Sequence, residues 1–220
     1  MIQDNLRTIN ENLPETVEII AVSKTKPIVD VKEAYEYGQR HFGENKVQEL
    51  ISKAEVLPQD IFWHLIGHLQ TNKVKHIASF IHLVHSVDSF KLLKEINKQA
   101  AKHERIVNCL LQFHIAEESS KYGLELADAI NILEDPEFKM MGNISISGVM
   151  GMASFVNDAD QIRNEFRSLK NTFDQLKLNY FKNDLRFKEI SMGMSGDYQL
   201  AIEEGSTIIR VGSIIFGPRN

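Results

Sequence analysis

The chain has 220 residues, 43% hydrophobic and 25% charged, which fits one soluble globular domain with enough apolar matter for a core. Its net charge of −5 argues against a nucleic-acid surface, which needs clustered Lys and Arg. No run approaches the roughly 18 apolar residues of a membrane helix, and Met1-Ile2-Gln3-Asp4-Asn5-Leu6-Arg7 lacks the basic-then-apolar order of an export signal, so neither membrane nor nucleic acid is an expected partner.

An amphipathic helix is expected over residues 2–13. Eight β-branched or apolar runs then read as strands, at 19–23, 41–43, 62–66, 82–87, 107–115, 144–150, 187–192 and 207–211. Several are apolar at consecutive positions, as parallel strands buried on both faces are. Helical patterns lie between them. One follows Pro27, carries Ile28, Val31 and Ala34, and stops at Gly38. Asp88 and Ser89 are candidate caps for a helix holding Leu92, Leu93 and Ile96. Another holds Leu126, Ile130 and Leu133 and ends near Pro136. The clearest places Ala159, Ile162, Phe166, Leu169, Phe173 and Leu176 on one stripe.

Strand-then-helix alternation implies a parallel sheet, and eight units close naturally into a barrel. The expected architecture is therefore an α/β fold, a single-domain (β/α)8 TIM-type barrel over 1–220 with an extra N-terminal helix. An open doubly wound sheet is the rival, but it usually has fewer strands. Cys109 lies in the apolar run at 107–111 and, as the single cysteine, forms no internal disulfide, which suits a reducing cytoplasm.

Barrels of this kind carry their chemistry at the carboxyl ends of the strands, with phosphate sites after strands seven and eight. Strand one leads into Ser23-Lys24-Thr25-Lys26-Pro27. Lys24 shares side-chain parity with Ile20 and Val22, so if those enter the barrel its amine stands at the mouth. Partial desolvation there frees an amine as a nucleophile, the requirement for a Schiff base; a solvated strand-end lysine is the bland alternative. Strand seven leads into Gly193-Met194-Ser195-Gly196-Asp197 and then a helix, which is an anion cradle or an ordinary capped start with Ser195 or Asp197 as the cap. Strand eight leads into Arg210-Val211-Gly212-Ser213, with Ile208, Arg210 and Gly212 on one face. An arginine inside a barrel needs a partner: a ligand, or an ion pair with Asp197 or Glu44.

Taken together, Ala21-Val22-Ser23-Lys24-Thr25-Lys26-Pro27, Phe42-Gly43-Glu44-Asn45, His64-Leu65-Ile66-Gly67 with Leu69-Gln70-Thr71-Asn72-Lys73, Ser191-Met192-Gly193-Met194-Ser195, and Arg210-Val211-Gly212-Ser213 with Ile215-Phe216-Gly217 resemble the pyridoxal phosphate homeostasis protein family, in order and over nearly the whole chain. The resemblance implies a barrel like the N-terminal domain of alanine racemase, with pyridoxal 5'-phosphate as cofactor. It implies that Lys24 is the Schiff-base lysine and that Ser195, Gly196, Gly212 and Ser213 hold the phosphate. Arg210 would face the pyridine nitrogen, with Asn45 and Met150 near the ring. Members bind the cofactor and influence its cellular supply, with no agreed reaction; apo enzymes that need the cofactor are the implied recipients.

Three positions depart from the family pattern: Lys46 where many relatives have Tyr, Tyr122 where a small residue is common, and Gly151 where a larger one is frequent.

A working racemase is not the expected outcome, though a slow pyridoxal-phosphate-dependent amino-acid racemase stands as the alternative. An Arg at the ring nitrogen discourages its protonation and weakens the ring as an electron sink. Racemisation also needs acid/base groups on both faces of the substrate Cα, and the racemases this barrel resembles draw the second from an additional domain of a partner subunit. A class I aldolase-type barrel, in which Lys24 captures a sugar-phosphate carbonyl, also fits the phosphate loops. No metal site is expected, since neither His64 with His68 nor His82 with His85 forms a ligand set by spacing. No heptad seam is visible, so a monomer is expected.

Overall fold

The computed structural model describes residues 1–117 and 123–218. Eight parallel strands close into a barrel in chain order, with the last paired to the first. They are β1 (Glu18–Val22), β2 (His41–Glu44), β3 (Phe62–Leu65), β4 (Leu83–Val87), β5 (Val107–Gln112), β6 (Ile144–Met150), β7 (Glu189–Met194) and β8 (Ile208–Val211). Around them run α1 (Ile2–Glu11), α2 (Ile28–Glu36), α3 (Val47–Ala54), α4 (Phe90–Ala101), α5 (Leu126–Glu134), α6 (Pro136–Lys139), α7 (Ala159–Asn179), α8 (Tyr198–Glu203) and α9 (Ser213–Phe216). A 3-10 segment, Thr71–His76, connects β3 to β4. The expected (β/α)8 barrel is the one observed, and α1 is the extra N-terminal helix, tied to α9 by Asn5 Nδ2 donating to the Ile215 carbonyl at 2.9 Å. No helix among the described residues is long and apolar enough to cross a membrane.

Two apolar layers hold the barrel. The outer layer packs strand residues such as Ile19, Ala21, Phe42, Trp63 and Leu65 against the helix stripes, including Ile162, Phe166, Leu169 and Leu176 of α7. The inner layer is small: Ile20, Leu83, Leu110, Met150 and Ile208 fill the barrel interior. Each such buried side chain contributes about 1.5–3 kcal/mol. Strand alternation then sets the rest of the interior. With Ile20 inside, Glu18 and Val22 share its side of β1; with Ile208 inside, Arg210 shares that of β8.

Some boundaries differ from the sequence reading. Strand seven starts at Glu189 and runs on to Met194 rather than spanning 187–192. Phe187 is held outside it, stacked on Phe173 at 4.9 Å and Phe181 at 4.2 Å between ring centroids. Strand five stops at Gln112, and Phe113 makes only an isolated bridge with Leu124. The β5–β6 register shifts after Cys109, where Gly148 takes φ +154 and its missing Cβ would stand 1.8 Å from the Glu189 carbonyl oxygen. Ser89 does cap α4, accepting the Leu92 N–H at 3.4 Å.

Candidate functional site

Lys24 lies two residues beyond β1, half-buried, in a tight turn. The next residue, Thr25, has φ 64, a left-handed conformation that a β-branched residue adopts only under constraint. The constraint comes from α3. Glu49 Oε1 accepts the Thr25 N–H at 2.5 Å, and Lys53 Nζ donates to the Ser23 carbonyl at 2.7 Å. Lys53 also donates to Glu44 Oε1 at 2.7 Å and Glu49 Oε1 at 2.8 Å, and the Ser23 hydroxyl donates to Glu44 Oε1 at 2.6 Å. Residues on both sides of Lys24 are thus pinned to one ion cluster between the barrel wall and α3. Glu44 is fully buried, and burial pushes its carboxyl above the usual range although Lys53 and Ser23 pull the other way. Lys26, the second lysine of the segment, turns away: its Nζ donates to the carbonyls of Phe216 and Pro218, each at 3.0 Å.

The loop after β7 meets the end of β8 beside β1. The Gly212 N–H donates to Ser195 Oγ at 3.3 Å, and a Cβ on Gly212 would stand 2.9 Å from the Val22 carbonyl oxygen. The chain approaches this closely because Gly212 has no side chain. Space is open around Gly196, where an added Cβ would meet nothing within 4 Å. The N–H groups of Gly196 and Ser213 donate to no acceptor among the described residues. Asp197 folds back so that its Oδ1 accepts the Met194 N–H at 2.5 Å; it precedes α8 without capping it by its side chain. Ser195 and Gly212 are thus in contact, with Gly196 and Ser213 next to them in the chain, and N–H and hydroxyl groups of this kind are the donors an anion site uses.

Arg210 is buried inside the barrel. Its Nη1 donates to Ser191 Oγ at 2.6 Å and its Nη2 to the Gly151 carbonyl at 3.0 Å, so it forms an ion pair with neither Asp197 nor Glu44. Burial lowers the guanidinium to about 10, with the nearby Asp197 charge opposing, so it stays cationic at neutral pH. Met150 lies in the interior layer. Asn45 follows β2, and its Oδ1 is buried with no hydrogen-bond partner among the described residues. That orphaned acceptor, the open cradle at Gly196 and the interior cation fit a phosphorylated, ring-nitrogen-bearing cofactor. Of the departures, Gly151 has a packing reason, since a Cβ there would meet Ile115 Cδ1 at 2.7 Å and Leu169 Cδ2 at 3.0 Å. Lys46 is exposed at the start of α3, and Tyr122 lies outside the described residues.

A chain of side chains that strand-end reasoning does not reveal runs down the barrel from Arg210. Ser191 Oγ meets His85 Nδ1 at 2.9 Å, His85 Nε2 meets His64 Nδ1 at 2.9 Å, His64 Nε2 meets His41 Nδ1 at 3.0 Å, and His41 Nε2 meets Glu18 Oε1 at 3.0 Å. Its Glu18 end fixes its direction for neutral rings: a carboxylate only accepts, so His41 donates to Glu18, His64 to His41, His85 to His64 and Ser191 to His85. Each ring is then a neutral Nε2–H tautomer. Burial, reinforced by neighbouring rings or by Arg210, pushes His64 and His85 well below the ordinary histidine range, consistent with neutral rings. The signal for this chain was alternation: Glu18, His41, His64 and His85 all have interior parity.

A closed parallel barrel with a lysine after its first strand and main-chain donors after its seventh and eighth is similar to the N-terminal barrel of the alanine racemases. Residues 1–220 match the family model described as alanine racemase, N-terminal domain. A pyridoxal phosphate homeostasis protein of Aquifex aeolicus is 36% identical over 204 residues, covering 92% of this chain and 87% of the relative. The human protein of the same name is 38% identical over 240 residues, covering 98% and 86%. The structure of PipY of Synechococcus elongatus with PLP bound superposes with a TM-score of 0.88 at 36% identity, covering 99% of this chain and 100% of that one. An alanine racemase of Clostridium difficile shares the fold alone, with a TM-score of 0.80 at 12% identity over 99% of this chain and 60% of its own. The chain belongs to the pyridoxal phosphate homeostasis protein family.

Proposed function

We propose that this protein binds pyridoxal 5'-phosphate at the carboxyl mouth of the barrel and serves its intracellular supply as a carrier, delivering to apo enzymes in a reducing cytoplasm. The observation that carries the reading is that the clamped segment of Lys24 and the Ser195–Gly212 contact follow the neighbouring strands β1, β7 and β8 at the same end of the barrel. The PipY structure, solved with PLP bound, supports it.

When bound, the cofactor supplies an aldehyde that condenses with a primary amine with loss of water. Lys24 offers that amine, held in direction by Ser23 and Thr25. Ser195, Gly196, Gly212 and Ser213 hold the phosphate through N–H and O–H donors. Arg210, a donor without acceptor capacity, leaves a ring nitrogen facing it unprotonated. Met150 and Asn45 border the ring. For a racemase a second acid/base group must face the substrate Cα; the amide N–H and hydroxyl groups of Ser195, Gly196, Gly212 and Ser213 suit an anion rather than that role.

The visible spectrum before and after borohydride, with peptide mapping, tests the reading. A yellow protein that bleaches and carries the reduced adduct on Lys24 is expected, with Lys24→Ala colourless yet folded. An adduct on Lys26, or none, overturns it. Amino acids in deuterated water are expected to exchange their Cα proton well below the enzymic scale of about 1 per second; faster exchange rejects the carrier.

A further inference from the structure

The amino-terminal end of the barrel, opposite the mouth, carries a second group of chemistry-bearing side chains. His41 opens β2, His64 lies inside β3, and His82 immediately precedes β4. One ring nitrogen from each lies within 4.8 Å of the others. We propose that His41, His64 and His82 form a binding site for one divalent transition-metal ion of the zinc class.

Three imidazoles suit Zn²⁺ and its neighbours, with a fourth position left for water or a carboxylate. In a tetrahedral site with bonds of about 2.0–2.1 Å, ligand atoms stand about 3.3 Å apart. His41 Nδ1 and His64 Nε2 are already 3.0 Å apart. His82 must close by about 1.5 Å at most on that spacing, and it is half-buried immediately before β4. Its ring packs against the other two, at 5.6 Å from His41 and 5.2 Å from His64, yet neither of its nitrogens has a hydrogen-bond partner among the described residues.

Two second contacts of the kind that orient metal-bound histidines are in place. His41 Nε2 faces Glu18 Oε1, and His64 Nδ1 faces His85 Nε2. Phe62 roofs the group, its ring 4.7 Å from those of both His41 and His82. Binding replaces the His64-to-His41 hydrogen bond. His64 then carries its proton on Nδ1 and donates to His85, whose proton moves to Nδ1 and points at Ser191. No proton is lost; the upper half of the chain reverses.

The test is titration of untagged, chelator-treated protein with Co²⁺ alone and then Zn²⁺. One equivalent of Co²⁺ with an intense four-coordinate visible spectrum, displaced by Zn²⁺, is expected. Long-range proton–nitrogen NMR is expected to move the His64 proton from Nε2 to Nδ1. His82→Asn lies outside the hydrogen-bonded chain and leaves the fold intact; it and His41→Asn are expected to weaken binding by tenfold or more, and Glu18→Gln by about tenfold. No saturable uptake, a six-coordinate spectrum, or wild-type affinity in either histidine variant overturns the site. Neither readout depends on the cofactor.

Discussion

Lys53→Met tests whether the cluster behind Lys24 works as described. Lys53 is buried and makes three hydrogen bonds, to Ser23, Glu44 and Glu49. Glu44 beside it is fully buried and already has one oxygen, Oε2, without a partner among the described residues. Methionine fills similar volume but leaves the Glu44 charge uncompensated, which costs about 3–5 kcal/mol. In a protein of this size that lowers the melting temperature by about 6–20 °C. The sign of the pH dependence follows from Glu44. Burial raises its folded pKa, so the native state binds the proton more tightly than the unfolded chain does. Its favourable contribution is complete below the unfolded value and is lost as pH rises through the raised folded value. Removing Lys53 deletes the strongest opposing influence and raises that value further. The deficit of Lys53→Met against wild type is therefore expected to be largest at alkaline pH and to shrink on acidification, as Glu44 takes up its proton. Adding Glu44→Gln is expected to recover about 2 kcal/mol or more at neutral pH. Thermal melts by circular dichroism from alkaline to acidic pH measure all three proteins. A deficit that grows on acidification, or a double variant no more stable than Lys53→Met, refutes the account.

Two further outcomes follow from single contacts. Ser191→Ala removes the hydroxyl shared by Arg210 and His85, leaving a buried donor and a buried acceptor unpaired; a loss of about 1–3 kcal/mol in chemical denaturation is expected, with a shifted absorption maximum of bound cofactor as Arg210 relaxes, and an unchanged spectrum denies Arg210 its place at the ring. Gly148→Ala drives a Cβ into the Glu189 carbonyl at a backbone conformation that L side chains rarely adopt, so strain and overpacking together are expected to cost at least about 2 kcal/mol; a melting temperature within a degree of wild type rejects the bulge as described.

The parts of this molecule that were legible in the sequence are those written in short-range patterns. Consecutive apolar runs separated by helical stripes gave eight parallel strands, and parity along single strands put Ile20, Lys24, Ile208 and Arg210 on the inner side. Ile20 and Ile208 do sit in the interior layer, and Arg210 is buried inside. Boundaries slipped where side-chain packing overrode the run, as at Phe187, whose aromatic stack holds it out of β7. The polar interior was not legible, because each of its links joins residues far apart in sequence: His41 to His64, His64 to His85, and His85 to Ser191 across 106 positions. Spacing within a segment tests pairs such as His82 with His85, whereas the grouping that forms takes His41, His64 and His82 from three successive segments.

The same alternation that made Lys24 readable also explains why the interior is polar at all. Five apolar side chains form the interior cluster, and the remaining inward positions named here include a glutamate, three histidines, a serine and an arginine. Left unpaired, the buried ones among them, His64, His85, Ser191 and Arg210, would be costly, whereas Glu18 closes the chain at the exposed amino-terminal rim. Ordered end to end, each neutral ring gives one proton and receives one, and the opposite charges of Arg210 and Glu18 lie at the ends that favour that polarity. The arrangement holds Arg210 through Ser191 and the Gly151 carbonyl, so its buried charge is satisfied without an ion pair to Glu44 or Asp197.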